Sequence, residues 1–186
     1  MGERGVTRTE GSGDVARIAL TLSAAEERCE ILVGGGLLRG LPRLLAEHAP
    51  AHAYAVLADE TVAEIHGRDV LERLGEAGLE ARLYTFPPGE PSKTVPTWST
   101  LLEALARDGH GRDACVVGLG GGVSCDLAGF VAAAFLRGVP LVQVPTTLLA
   151  MVDAAIGGKT GVDLAAGKNL AGAFWQPRLV LADPEL

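Results

Sequence analysis

The sequence predicts an α/β domain in which a parallel, Rossmann-like sheet carries helices on both faces. Three observations support this. Short apolar runs alternate with longer stretches whose apolar residues follow helical spacing. Glycine clusters fall where a strand would hand over to a helix, at Gly34 to Gly36 and at Gly120 to Gly122. Apolar residues make up 48% of the 186 positions, enough for a sizeable core in one domain.

Residues 1–14 carry turn formers and charge without periodicity and are expected to be a disordered lead-in, so the domain is expected to span 15–186. Ala16 to Leu22 alternates as a strand. Glu30 to Val33 is a short apolar run ending on Gly34, and Leu37, Leu38, Leu41, Leu44 and Leu45 then follow helical spacing. Ala53 to Ala58 reads as a buried strand followed by Asp59 and a helix through Val62, Ile65, Val70, Leu71 and Leu74. Leu79 to Phe86 is the next strand. After a Pro- and Gly-rich loop from Pro87 to Thr94, the residues Val95, Trp98, Leu101, Leu102 and Leu105 mark a helix. Ala114 to Leu119 is a strand, Gly120 to Gly122 a turn, Asp126 to Leu136 a helix, and Val139 to Val144 a strand closed by Pro145. From Thr146 to Pro177 the pattern changes to a helix near Leu148 to Ala155 and then a long Gly-rich loop. Leu179 to Ala182 is a final strand.

Composition excludes several functions. With 16 basic and 23 acidic side chains the net charge is −7, which argues against nucleic acid as a partner. No apolar stretch reaches the roughly 18 residues of a membrane helix, and the polar N-terminus is no secretory signal. Cys29, Cys115 and Cys125 are odd in number and lack CxxC spacing, which suits a reduced, cytoplasmic chain. His48, His52, His66 and His110 form no metal-ligand pattern, and Pro50 breaks any helix that would align the first two.

Gly118-Leu119-Gly120-Gly121-Gly122 follows a strand and opens a helix, where backbone amides and the helix dipole can hold a phosphate. Val123 stands where a strict GxGxxG would end, so a ligand-free structural turn remains open beside the phosphate reading. Gly34 to Gly36 has no polar neighbours of note and reads as structural. Gly157-Gly158-Lys159-Thr160 is no P-loop, because Asp153 occupies the position of the required first glycine. Asp153, Lys159, Lys168, Asn169 and Arg137 would together suit a phosphorylated anion, or each is a solvated surface group. Trp98 and Trp175 read as core or interface residues.

The run Gly120-Gly121-Gly122-Val123, Asp126 to Phe130, Leu136-Arg137-Gly138 and Gln143 to Ala150 resembles the N-terminal half of 3-dehydroquinate synthase, a sugar phosphate cyclase. So do Pro88-Gly89-Glu90, Ser92-Lys93-Thr94, Val152-Asp153, Gly157 to Gly161, Gly167-Lys168-Asn169 and Gly172 to Pro177. The resemblance covers almost everything from residue 28 onward.

It implies an NAD-dependent carbon–oxygen lyase of the shikimate pathway that converts the phosphorylated sugar acid DAHP into 3-dehydroquinate and phosphate. The cofactor contacts it implies are Asp59, Glu90, Lys93, Gly121, Gly122, Val123, Asp126, Thr146, Thr147 and Leu149, with Lys159 and Lys168 shared. The implied catalytic and substrate residues are Arg137, Asp153, Lys159, Lys168 and Asn169. Cys125 stands where the family usually has glycine, and it is expected to be a packing residue, not a nucleophile. The family's divalent metal, zinc or cobalt, is held by a glutamate and two histidines from a following helical domain. None of those ligands is in this sequence, so the chain reads as lacking that domain and as inactive alone. A cytoplasmic homodimer is expected. A cyclase of the deoxy-inosose or valiolone type and a non-catalytic NAD-binding remnant are the rival readings. A metal-dependent alcohol or glycerol dehydrogenase shares the two-domain plan, but the Gly-Lys-Thr and Gly-Lys-Asn elements argue against it.

Overall fold

The computed structural model describes residues 5–9, 17–21 and 29–186. Strands β1 (Gly5–Thr9) and β2 (Arg17–Thr21) pair antiparallel. Residues 5–9 of the expected lead-in are therefore a strand, built from a pentapeptide with three β-branched residues, Val6, Thr7 and Thr9. The rest of 1–14 lies outside the described residues.

A second sheet has six strands: β3 (Glu30–Val33), β4 (Tyr54–Asp59), β5 (Ala81–Phe86), β6 (Cys115–Gly120), β7 (Leu141–Pro145) and β10 (Leu179–Ala182). They lie in the order β3-β10-β7-β6-β4-β5, and every neighbouring pair is parallel. Four of them are buried along almost their whole length, as strands covered on both faces must be. Alternate side chains feed two cores. Tyr54, Val56, Ala58, Val117 and Leu119 meet helices α1 (Leu41–His48) and α3 (Arg68–Glu76) on one face. Ala55, Leu57 and Val116 meet α4 (Val95–Arg107) and α5 (Gly122–Ala134) on the other. Between β4 and α3 the chain makes a short α2 (Glu60–Val62) and a π turn, Ala63–Gly67.

Gly34 to Gly36 is structural, as expected, and its partner is Asp183. That carboxylate, 1% exposed, accepts from the Gly36 and Leu38 amides at 3.1 Å each and from Glu185 at 3.0 Å. Burial pushes the Asp183 carboxyl up, but hydrogen bonds from four backbone amides outweigh it and hold the group below its usual range.

One expectation fails. The Gly-rich stretch read as a long loop is a β-hairpin, β8 (Lys159–Leu164) and β9 (Gly167–Phe174), laid over α5. Glycine lets its two strands touch: a Cβ on Gly172 would lie 1.9 Å from the Thr160 carbonyl, and one on Gly161 2.5 Å from the Ala171 carbonyl. The preceding helix near Leu148 to Ala155 is present as a π turn, Ala150–Ala154. No helix among the described residues is long and apolar enough to cross a membrane.

Candidate functional site

Chain order reverses its direction across the sheet between β4 and β6, so a crevice opens beyond the carboxyl ends of those strands. Asp59 ends β4 and Gly120 ends β6. Gly120 has φ 147°, and a Cβ there would sit 2.4 Å from the Ser124 hydroxyl oxygen. Gly121 precedes α5 in an extended conformation and supplies no side chain to the first-turn amides. A 13-residue helix thus presents uncapped N–H groups to the crevice, the arrangement that binds a pyrophosphate. Asp59 caps α2 by accepting from the Val62 amide at 3.1 Å, and its other oxygen accepts from Ser124 Oγ at 3.4 Å. The Thr146 amide donates to the Gly120 carbonyl at 2.9 Å, and Thr147 Oγ1 accepts from the Ala150 amide at 3.3 Å. Ser124 escaped the sequence reading because it occupies an unspecified position of the glycine motif.

Beside the crevice lies a charged cluster. The ammonium of Lys93, 5% exposed, donates to both Asp126 Oδ2 and Asn169 Oδ1. Burial raises the Asp126 carboxyl above its usual value, opposed by Lys93. The hairpin is tied to this cluster at two further points. The Asp163 amide donates to the Lys93 carbonyl at 2.8 Å, and Lys168 Nζ lies 2.9 Å from Glu90 Oε1. Asn169 takes a left-handed conformation, φ 56°, and its amide donates to Asp163 Oδ1 at 2.7 Å.

A cavity of about 470 Å³ runs from Asp126 along the hairpin, with Asp153, Lys159, Thr160 and Asn169 as its polar lining and Leu170 and Phe174 as apolar lining. Ala154 belongs to this cavity and would also meet a Cβ on Gly122 at 3.5 Å, so the cavity wall borders the start of α5.

The structure gathers most of the sequence-predicted residues here. Asp126, Asp153, Lys159 and Asn169 share the cavity, Lys93 joins them through two hydrogen bonds, and Glu90 and Lys168 pair with each other nearby. Asp59, Gly121, Gly122, Val123, Thr146 and Thr147 frame the crevice, and Leu149 is 71% exposed on the turn that follows. Arg137 is the exception. It follows α5 past a non-helical Leu136 and is not among the residues that line the cavity. Its neighbour Gly138 lies against the Trp175 ring, and the Trp175 amide donates to the Gly158 carbonyl at 2.7 Å, beside Lys159.

Cys125 packs, as expected. Its side chain is fully buried with Ala150, Ala155 and Val180 beneath α5, so it fills core instead of narrowing the crevice. Burial pushes its thiol up to about 12.

Known proteins resemble this chain over most of its length. Residues 83–186 match the family model described as 3-dehydroquinate synthase N-terminal. The 3-dehydroquinate synthase of Symbiobacterium thermophilum is 51% identical over 165 residues, covering 88% of this chain and 46% of that protein. The chain therefore spans about half the length of the curated relatives it matches. A 2-epi-5-epi-valiolone synthase from Streptomyces hygroscopicus, solved with NAD+ and Zn2+, is 32% identical with a TM-score of 0.77, over 89% of this chain and 46% of its own. A 2-deoxy-scyllo-inosose synthase, solved with carbaglucose-6-phosphate, NAD+ and Co2+, is 27% identical with a TM-score of 0.75, over 96% and 46%.

Proposed function

The chain belongs to the 3-dehydroquinate synthase family, and on that premise we propose that it is the NAD-binding part of a lyase that turns DAHP into 3-dehydroquinate and phosphate. The observation that carries this reading is the uncapped start of α5 at the sheet's reversal point, next to a cavity lined by Lys159, Asn169 and two carboxylates.

NAD fits that crevice, because Gly120 to Gly122 leave the amides of α5 open and Asp59 stands across from them at the end of β4. When bound, NAD supplies reversible hydride transfer at a carbinol carbon. The residues of this chain bind and orient. The amides of Gly122, Val123 and Ser124 receive the pyrophosphate, and Asp59 accepts from a ribose hydroxyl. Asp126 and Lys93 border the cavity at its junction with the crevice, while Lys159 and Asn169 meet the anionic groups of the substrate. Lys168 is free to join them once it leaves Glu90. Among the described residues no three His, Cys, Asp or Glu side chains converge, so this chain's own residues do not fit the divalent metal. The proposal includes a cytoplasmic location and a homodimer, and light scattering on the purified protein tests the dimer.

Calorimetric titration of the folded chain with NAD checks the cofactor site: saturable binding is expected, and none at millimolar cofactor overturns it. The two solved cyclases favour a second reading, a different sugar phosphate as substrate. Phosphate release from DAHP against other hexose and heptose phosphates, assayed with the full-length protein, separates the two.

A further inference from the structure

Gln143 is a polar side chain in an otherwise apolar strand, and it is 2% exposed. Its Nε2 donates to the carbonyl of Cys125 at 2.9 Å, in the first turns of α5 and one residue before Asp126. Its Oε1 has no hydrogen-bond partner among the described residues. Space for this amide is made by Gly118, its register partner on β6. A Cβ there would lie 2.3 Å from Gln143 Oε1 and 2.8 Å from the Ala128 Cβ. The first glycine of the Gly118 to Gly122 run therefore accommodates a side chain and a helix, and takes no part in the phosphate cradle.

A buried amide with one unpaired oxygen is a poor way to gain stability, since burying an unsatisfied polar atom costs more than a neutral hydrogen bond returns. The bond it makes does hold one thing in place. It ties the start of α5 to the sheet at the depth of Cys125, and so fixes the amides of Gly122 to Ser124 and the carboxylate of Asp126 relative to β6 and β7. We propose that Gln143 is a positioning residue for the cofactor site, acting through the Cys125 carbonyl. The proposal rests on the reading that NAD binds at the start of α5.

Two substitutions in the full-length protein test it. Gln143→Met keeps the length and removes the donor. Its expected outcome is a melting temperature equal to or above wild type, with NAD binding weakened about five- to tenfold, the range one lost hydrogen bond allows. Gln143→Glu can donate to the Cys125 carbonyl only while protonated. NAD affinity of this variant is expected near wild type at low pH and to fall as pH rises, a profile absent from both wild type and the Met variant. Hydrogen exchange without cofactor supplies an independent readout: the amides of Cys125 and Asp126 are expected to exchange faster in the Met variant, with the rest of α5 unchanged. A Met variant that loses stability while keeping its NAD affinity and its exchange pattern overturns the proposal. If wild type fails to bind NAD, the cofactor reading falls, and the exchange pattern alone decides whether the tether exists.

Discussion

Lys93 is the residue on which the candidate site turns, because a nearly buried ammonium there neutralises Asp126 and orients Asn169. Lys93→Met removes the counter-charge and leaves Asp126 half-buried as a lone carboxylate. A loss of about 2 kcal/mol at neutral pH is expected, toward the low side of what breaking a buried pair costs, since Asp126 keeps some solvent contact. Asp126 already has a carboxyl raised by burial, and without Lys93 it rises further. A group whose folded value is raised binds protons more tightly when folded, so the variant's deficit shrinks as pH falls through that value. Urea unfolding at neutral pH and near pH 5 checks this; an equal deficit at both would show that Asp126 does not feel Lys93. Cys125 bears on a different question. With its thiol pushed up to about 12 and its side chain in the core, it is expected to resist thiol reagents in the folded protein while the half-buried Cys29 reacts. Cys125→Gly is expected to cost about 1–2 kcal/mol from the cavity and the helix glycine, and to leave NAD affinity unchanged.

At the level of elements, the hairpin and the base of the sheet each make a prediction. Gly172→Ala would drive a methyl to 1.9 Å from the Thr160 carbonyl, so β8 and β9 must separate. The expected result is a loss of about 3 kcal/mol or more, with faster hydrogen exchange confined to 159–174 and weaker substrate binding through Lys159 and Asn169. Unchanged exchange would mean that the strands do not pack at this register. At the opposite end of the sheet, Tyr84 Oη donates to Asp108 Oδ2 at 2.9 Å and lies 2.8 Å from His110 Nε2. Tyrosine has one proton to give, so His110 must carry its own on Nε2, leaving a buried Nδ1 with no partner among the described residues. Protonating that nitrogen would bury an unpaired donor. Burial first, then the charges of Arg82 and His52, lower the His110 imidazole, against the opposing pull of Asp108 and Glu80. A histidine lowered on folding favours the unfolded chain once that chain takes up protons. Stability is therefore complete above about pH 6.5 and declines as pH falls below it. Denaturant midpoints across that range, compared with His110→Gln, check the sign, and nitrogen chemical shifts of the ring check the tautomer.

Across the whole molecule, charge and apolar surface are distributed unevenly. The net charge is −7, and at the cavity Lys93 and Lys168 are paired with Asp126 and Glu90, which leaves Lys159 as the lining cation with no ion-pair partner among the described residues. Around the same cavity Leu148, Leu149, Val152, Leu170 and Phe174 are 59–81% exposed. An apolar strip of this kind favours association. Concentration-dependent oligomers are expected by light scattering, and Leu149→Glu with Phe174→Glu is expected to suppress them without lowering the melting temperature. Oligomers unaffected by the double change would locate the contact elsewhere.

The order of strands and helices was legible from the sequence because buried parallel strands are continuous apolar runs and their helices keep a 3.6-residue period; Glu30–Val33 and Leu179–Ala182 were readable to the residue. The glycine motif likewise announced the start of α5. The hairpin at 159–174 was not legible, since glycines that permit two strands to touch look, in one dimension, like glycines that permit a loop. Nor could the sequence say which core residues Cys125 would meet beneath α5, since that depends on the rotation of the helix once it is packed. The sequence by itself determined the architecture and the residues available for a phosphorylated ligand. Only the tertiary structure decided which of them meet, because contacts such as Lys93 with Asn169 or Gln143 with Cys125 join distant parts of the chain that are brought together by the packing of the hairpin and α5 on the sheet.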